Sequence, residues 1–466
     1  MSPVFPFRLL ALPLGAVCTF AQAQSPTLEA WFSTPAGKRE DLPVRVKKSA
    51  PMTRREADRA VTRTWEAYRA GAVAQGWDKV MPAPLLGEDA MTFVARAADA
   101  VKAGKSPVAA AELPAGKFRM PFVLLGKGDQ GPKGWPLFIS MHGGGSTEEP
   151  VGPDGHGWLT NTREWWAQMR LFGSQYSRPG LYFIPRMAHD NHGRWYTAHN
   201  HEAFDLMLRT AILFRGVDPD RVHMMGISEG GYGTDKLAPF FADRLASACA
   251  MAAASGRLEN LANLANTPFR TDMGEFDTAY GRISMALDTH AALGRWKAGD
   301  DRFTHVLAVQ PGRGHGINYA PGAQWVGGFT RNPRPTRVTW NTAPLEGARR
   351  DTFYWLGLEG APAQGSLTLD ATLNRDHNTV LVHAAPQNGA TLEGATLKVF
   401  LDDRMLDLDK PVTVVVNGKV AFRGSVARRL EHIARRIAER GDPSFAFPGE
   451  VRIPLGGSGA PAPGKP

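Results

Sequence analysis

The sequence predicts an α/β protein. A mostly parallel sheet carries helices on both faces, with an N-terminal helical extension before it and a small C-terminal antiparallel β-module after it. Three observations carry this reading. Between residues 117 and 330, short apolar runs alternate with segments of helical period, the pattern of strands buried on both faces. One of those runs leads into Gly226-Ile227-Ser228-Glu229-Gly230, a serine with a glycine two residues to either side. Beyond about residue 330, prolines break the chain and short β-type runs replace the alternation.

The chain has 466 residues, more than one ordinary core organises, so two domains with appendages are expected. A hydrophobic content of 43% with 21% charged residues is that of a globular protein and excludes a largely disordered chain. The formal charge is +9, but the arginines are scattered, with modest density between Arg428 and Arg440. That distribution is a solvated surface, and no nucleic-acid partner is expected. Residues 1–23 read as a secretory signal peptide. Arg8 precedes an apolar run over 9–20, and Ala21-Gln22-Ala23 fits cleavage ahead of Gln24. The run is about half the length that spans a bilayer. The expected location is therefore secreted or periplasmic, with no membrane association after cleavage. Cys249 is then the remaining cysteine, so no internal disulfide is expected.

The extension covers residues 24–116. Residues 24–52 contain Pro, Ser and Lys with weak periodicity and predict an irregular arm. Thr53 with Glu56 three residues on is a capping box, and Ala57, Val61, Trp65 and Tyr68 follow at helical spacing. A second helix fits 89–102, with Met91, Val94 and Ala98 on its apolar side. The α/β unit then occupies 117–330. Residues 117–126 predict an edge strand, because Pro121 lacks the donor a central strand needs. Strands follow at 135–141 and 180–186, then an amphipathic helix at 202–214 and the strand before Ser228. Runs at 245–254, 269–273 and 305–309 supply the remaining strands. The β-module covers 331–455. Its runs lie at 337–340, 352–356, 365–369, 379–383, 397–401 and 411–416, and Asn417-Gly418 marks a hairpin. A helix over 425–440, stopped at Gly441, closes it. The Gly- and Pro-rich residues 456–466 predict a disordered tail. No internal repeat is visible.

The chemistry starts at Ser228. A serine on a tight strand-to-helix turn sits at strained backbone angles, and glycines two residues away remove collisions across the turn. Its hydroxyl is then presented beside the N–H groups of a helix start, ready for an oxyanion. His142-Gly143-Gly144-Gly145, after the strand at 135–141, is a loop whose backbone can approach a substrate carbonyl. A base must take the serine proton. Of the histidines beyond Ser228 (His290, His305, His315, His377, His383 and His432), His315 lies in a Gly-rich loop directly after the last strand of the unit. The acid that holds the base belongs after the strand at 269–273. Asp277 is preferred there, with Asp272 and Glu275 as alternatives.

His142-Gly143-Gly144-Gly145, Gly226-Ile227-Ser228-Glu229-Gly230-Gly231, Gly274-Glu275-Phe276-Asp277 and Gly314-His315-Gly316 together resemble the serine α/β-hydrolase superfamily over roughly residues 117–330. The nearest sub-groups are secreted esterases of the polyhydroxybutyrate-depolymerase and feruloyl-esterase type, and the prolyl-oligopeptidase-like catalytic domain. The resemblance implies an eight-stranded, mostly parallel sheet, acyl-enzyme chemistry and no cofactor. Carried over by position, Ser228 is the nucleophile, Asp277 the acid and His315 the base. Gly144, Gly145 and Glu229 donate oxyanion N–H groups. Glu229 departs from the family's usual neutral residue, and a carboxylate there would disfavour acidic substrates.

His189, His192, His199 and His201 have spacings that metal sites use, but no cysteine or carboxylate cluster accompanies them. A substrate-wall or structural role is expected, and no metal. His142, Trp195 and Tyr196 are candidate substrate contacts, the two aromatics by stacking on a sugar or an aromatic acyl group. Trp165 and Trp166 are expected in the core. The reading is an exported serine hydrolase of small or polymeric carboxylic esters. Its rivals are a prolyl-oligopeptidase-like serine peptidase and a polysaccharide-binding protein with a vestigial hydrolase domain. The sequence indicates no oligomeric state.

Overall fold

The computed structural model describes residues 25–39, 41–105, 111–152, 155–156 and 160–456. The leader read at 1–23 lies outside these residues, as does the tail read at 456–466 except for Gly456. The arm over 24–52 is more helical than its weak periodicity predicts, with α1 (Ser25–Ser33) and α2 (Val44–Lys47). Phe32, Leu42 and Val46 are buried among Ala60 and Tyr68 of α3 (Arg54–Ala74), so tertiary packing supplies what local period lacks. The α3 helix starts on the Thr53–Glu56 capping box. The two-residue strand β1 (Leu85–Leu86) leads into α4 (Gly87–Lys102).

The central sheet continues with β2 (Ala111–Ala115), β3 (Phe118–Lys127) and β4 (Trp135–Met141). Then come α5 (Thr160–Ser174), β5 (Gly180–Pro185), α6 (Ala198–Phe214) and β6 (Val217–Ile227). The second half is α7 (Glu229–Phe240), β7 (Ser247–Met251), β8 (Phe269–Gly274), α8 (Arg282–Lys297), β9 (His305–Gln310) and α9 (Ala320–Val326). Nine strands pair in the order β1-β3-β5-β4-β6-β7-β8-β9, with β2 also on β3. From β5 to β9 every pairing is parallel, whereas β3 is antiparallel to both β2 and β5. The sheet has one strand more than the resemblance implies, because β1 adds a short parallel partner to the end of β3.

The strand around Pro121 is not an edge. β3 is paired on both sides, and Pro121 is tolerated because pairing with β5 begins only at Phe122, opposite Pro185. The Pro121 carbonyl still accepts from Arg186 N at 2.7 Å.

The β-module comprises β10 (Arg337–Asn341), β11 (Thr352–Phe353), β12 (Leu356–Glu359), β13 (Ser366–Asn374), β14 (Thr379–Gln387), β15 (Thr396–Leu401), β16 (Val412–Val416) and β17 (Lys419–Gly424). It ends with α10 (Leu430–Arg440) and β18 (Gly449–Pro454). The strands form two sheets, β10-β13-β14-β16-β17 and β11-β12-β15-β18. The module is not wholly antiparallel: β14 and β16 pair in parallel. The chain leaves β14 to build β15 in the other sheet and returns as a crossover, the connection a parallel pair requires. Asn417, at φ 49°, makes the expected turn between β16 and β17.

The helix expected over 425–440 starts at Leu430 and lies between two partners: Arg440 donates to Thr352 Oγ1 of the module at 2.9 Å and Arg436 lies over Phe400, while its apolar face turns the other way. Ile433, Ala434 and Ile437 of α10 share a core with Phe32, Tyr68 and Leu213, so the C-terminal helix joins the N-terminal helices on α6. The module itself is continuous with the α/β core. Phe240, Leu264 and Phe269 are buried in one cluster with Trp340, Tyr354 and Leu356. Arg331 pins the junction, donating to Asp220 at 2.7 Å and to Asp442 at 2.9 Å.

Four histidines lie buried among the described residues, and three of them, His142, His223 and His290, are held neutral most strongly. Burial pushes each down to about 3. A base whose folded pKa is depressed stabilises the fold above its unfolded pKa of about 6.5, and that stability is lost as pH falls. Each histidine should therefore lower stability progressively as pH falls from about 6.5 toward 3, because the unfolded chain takes up a proton that the folded chain refuses. Urea midpoints measured at pH 7, 6, 5 and 4 should fall steeply below 6. His223→Gln should flatten that slope, and an unchanged slope would refute the assignment.

Candidate active site

The site is built at the ends of β6, β8 and β9. The apolar run of β6 carries the chain into the sheet and α7 starts one residue after Ser228, so the serine must turn the chain by itself. Its φ of 54° and ψ of −111° are strained for a residue with a side chain. The flanking glycines are steric necessities. A Cβ at Gly226 would collide with the Gly230 carbonyl, and one at Gly230 with the carbonyl of Met141 on β4. The Ser228 amide is tied to Met251 O at 2.9 Å, which locks the turn to β7.

The three residues chosen from sequence meet in space. Ser228 Oγ lies 3.0 Å from His315 Nε2, and His315 Nδ1 lies 2.8 Å from Asp277 Oδ2. The Asp277 side chain is 1% exposed and the His315 side chain 46%. The acid is enclosed while the base faces solvent. The second Asp277 oxygen accepts from Arg282 Nη1 at 2.9 Å, and Arg282 Nε donates to the Tyr232 hydroxyl at 3.0 Å. Sequence reading missed Arg282. Its signal was available: a buried carboxylate needs a cation, and Arg282 is the first arginine after Asp277.

The alternatives for the acid lie elsewhere. Asp272, inside β8, accepts from Arg270 Nε at 2.6 Å and turns its other oxygen toward Gly322 of α9. Burial raises its carboxyl above the ordinary range. Glu275 is exposed and accepts from Gly312 N at 2.8 Å. That bond, with Phe276 N donating to Arg313 O at 2.8 Å, laces the acid loop to the histidine loop. The Gln310 side chain closes the histidine loop by exchanging two bonds with the Asn318 backbone, both 2.8 Å.

The glycine loop after β4 departs from expectation at one position. Gly145 N donates to Asn161 Oδ1 at 2.9 Å, and Asn161 Nδ2 returns a bond to Gly145 O at 2.9 Å. The Gly145 amide is thus engaged by a side chain of α5. Of the amides carried over from the resemblance, Gly144 and Glu229 remain. The Glu229 amide is at the start of α7, where helix N–H groups lack intrahelical partners.

Two of the three expected substrate contacts, His142 and Trp195, lie in the interior, and Tyr196 is half-buried. His142 is fully buried; its Nδ1–H donates to Gly143 O and its Nε2 accepts from Met187 N at 3.0 Å. It orders the glycine loop as a neutral imidazole. Trp195 is fully buried and donates its Nε1–H to His142 O at 3.0 Å. The Tyr196 ring is covered by the Lys236 ammonium, 3.6 Å from its centroid. All three look apolar or aromatic in sequence, and the interior claims the first two because their polar atoms find backbone partners there.

Glu229 is 2% exposed, and Arg194 binds both of its carboxylate oxygens. The charge expected to repel acidic substrates is therefore neutralised by a partner 35 residues away in sequence, for which no local signal exists. Glu164 stands beside the glycine loop, and burial raises its carboxyl against the opposing influence of His315. The histidine-rich stretch gathers on Phe118, whose ring centroid is 4.8 Å from His189 and 5.1 Å from His199. No group of three or more His, Cys, Asp or Glu placed to hold a metal occurs among the described residues. Trp165 is in the core, with Nε1 donating to Ile184 O at 3.0 Å. No helix among the described residues is long and apolar enough to cross a membrane.

A mostly parallel sheet with a strained serine between β6 and α7, and a histidine and an acid in the loops after β9 and β8, defines an α/β-hydrolase fold. Among solved structures, the chain is similar to a thermostable esterase, at 16% identity and a TM-score of 0.34, over 46% of this chain and 60% of that one. It is similar to a ferulic acid esterase at 15% identity and a TM-score of 0.31, over 45% and 92% of the two chains. It is also similar to FphF, a fluorophosphonate-binding serine hydrolase of Staphylococcus aureus, at 15% identity and a TM-score of 0.32, over 45% and 92%. No protein-family model and no curated protein matches the chain.

Proposed function

We propose that the protein is an exported serine hydrolase that cleaves carboxylic esters through an acyl-enzyme on Ser228. The observation that carries this reading is the continuous hydrogen-bonded line Ser228–His315–Asp277, at 3.0 and 2.8 Å, on a strained elbow. His315 Nε2 takes the hydroxyl proton as Ser228 Oγ attacks the ester carbonyl, and Asp277 stabilises the imidazolium that forms. The Glu229 and Gly144 amides hold the oxyanion. Collapse breaks the C–O bond, His315 returns the proton to the leaving alkoxide, and water repeats the sequence on the acyl-serine. Export rests on the leader read in residues 1–23. The half-exposed base supports an open site, suited to small esters or to the chain of a polymer.

A peptidase reading would use Glu229 to hold a substrate ammonium group. Its pairing with Arg194 weighs against that role. The purified protein should label with a fluorophosphonate probe and turn over short p-nitrophenyl esters far faster than aminoacyl-p-nitroanilides. Absence of labelling at Ser228 overturns the serine-hydrolase reading, and faster anilide cleavage overturns the ester reading.

A further inference from the structure

A cavity lined by none of the catalytic residues is cut where α6, the β-module and the end of α10 meet. Its volume is about 690 Å³. Six cationic side chains line it against four acidic ones, with Asp243 buried behind. The cations are not all satisfied by the chain. Arg244, its side chain 2% exposed, reaches Asp205 only through Nη1, at 3.4 Å. Its Nη2 is buried without a hydrogen-bond partner, as is Nε of Arg440. Arg440 and Arg350 both lean on the single carboxylate of Asp243. Burial and the Arg440 charge push Arg244 down to about 10, the direction expected where positive charge is under-compensated.

The arginine cavity shares a wall with another of about 610 Å³. Asp205, Arg209, Arg349 and Arg350 line both, and Asp205 is paired with Arg209. This neighbouring cavity is apolar in character, with Trp77, Phe240 and Phe241 among its lining residues. The Arg350 guanidinium lies over the Phe241 ring at 5.2 Å and the Phe240 ring at 5.7 Å, so one side chain borders the charged and the aromatic compartments. Guanidinium N–H pairs match a carboxylate in the plane of the fork, and volumes of this size hold small organic ligands.

We infer that the paired cavities form a binding site for a small amphipathic carboxylate, its charged group among Arg244, Arg350 and Arg440 and its apolar body against Phe240 and Phe241. The site is independent of Ser228, and a carboxylic acid is also what ester hydrolysis releases.

Calorimetric titration of the full chain with 4-hydroxycinnamate tests this, with cinnamyl alcohol and inorganic phosphate as comparison probes. Saturable one-to-one binding of the carboxylate is expected, with much weaker binding of the neutral alcohol and of phosphate. Arg350→Gln should weaken binding by about tenfold or more, while labelling of Ser228 by fluorophosphonate stays at the wild-type rate. Lys398→Met, which removes another cation lining the same cavity, should also weaken binding of the carboxylate and is the variant read should Arg350→Gln melt early. No saturable binding to the wild-type chain overturns the proposal and leaves a purely structural ion-pair seam. Equal binding of phosphate overturns the amphipathic class. Binding that is lost on blocking Ser228 and kept in both variants places the ligand in the catalytic site instead.

Discussion

Ser228→Ala should lower kcat on p-nitrophenyl acetate by about 10⁴- to 10⁶-fold. His315→Ala should lose about as much, and the double variant little more than either. The reason is geometric. The two side chains share one proton across 3.0 Å, so removing either abolishes the same step. What survives is the work of the backbone donors around the elbow, which neither substitution touches. Losses that multiply in the double variant would mean that serine and histidine act independently, and the acyl-enzyme mechanism would then fail.

Asp277→Asn should cost about 10⁴-fold in kcat, while Asp272→Asn stays within about one order of magnitude. Arg282 decides the direction of the first effect. It donates to Asp277 Oδ1, so an asparagine there keeps its oxygen toward Arg282 and turns its NH₂ toward His315. His315 must then accept at Nδ1 and carry its proton on Nε2, where it cannot receive the proton of Ser228. The tautomer is wrong although no contact is lost. Arg282→Met should recover part of the loss in the Asp277→Asn background, because the amide is then free to flip. Asp272, bonded to Arg270 and directed at α9, has no such path to the base. A larger loss at Asp272 than at Asp277 would reverse the assignment.

Both results concern residues whose order along the chain was visible before their contacts were. Gly226 and Gly230 announce the elbow because two backbones pass too close for any Cβ, a demand that shows in sequence as glycine itself. Apolar runs without alternation announce parallel strands, since both faces of each are covered. Thr53 and Glu56 announce a helix start, because capping involves only neighbours in the chain. These are local constraints, and they put Ser228, Asp277 and His315 on three loops that the fold brings together.

The errors were of one physical kind. Pro121 looked like an edge residue, yet the other strand pairs only beyond it. Gly145 looked like an oxyanion donor, yet Asn161 of α5 occupies its amide. His142 and Trp195 looked like a substrate surface, yet they bond to each other's loop in the interior. In each case the deciding partner is far along the chain.

By itself, then, the sequence determined the α/β class, the elbow and the order serine, acid, histidine, because steric and periodic demands are written within a few residues. Only the tertiary structure decided which amides are free, which aromatics are core, and that the carboxylate of Glu229 is matched by Arg194. Hydrogen bonds and ion pairs choose partners by distance in space, and the fold sets that distance.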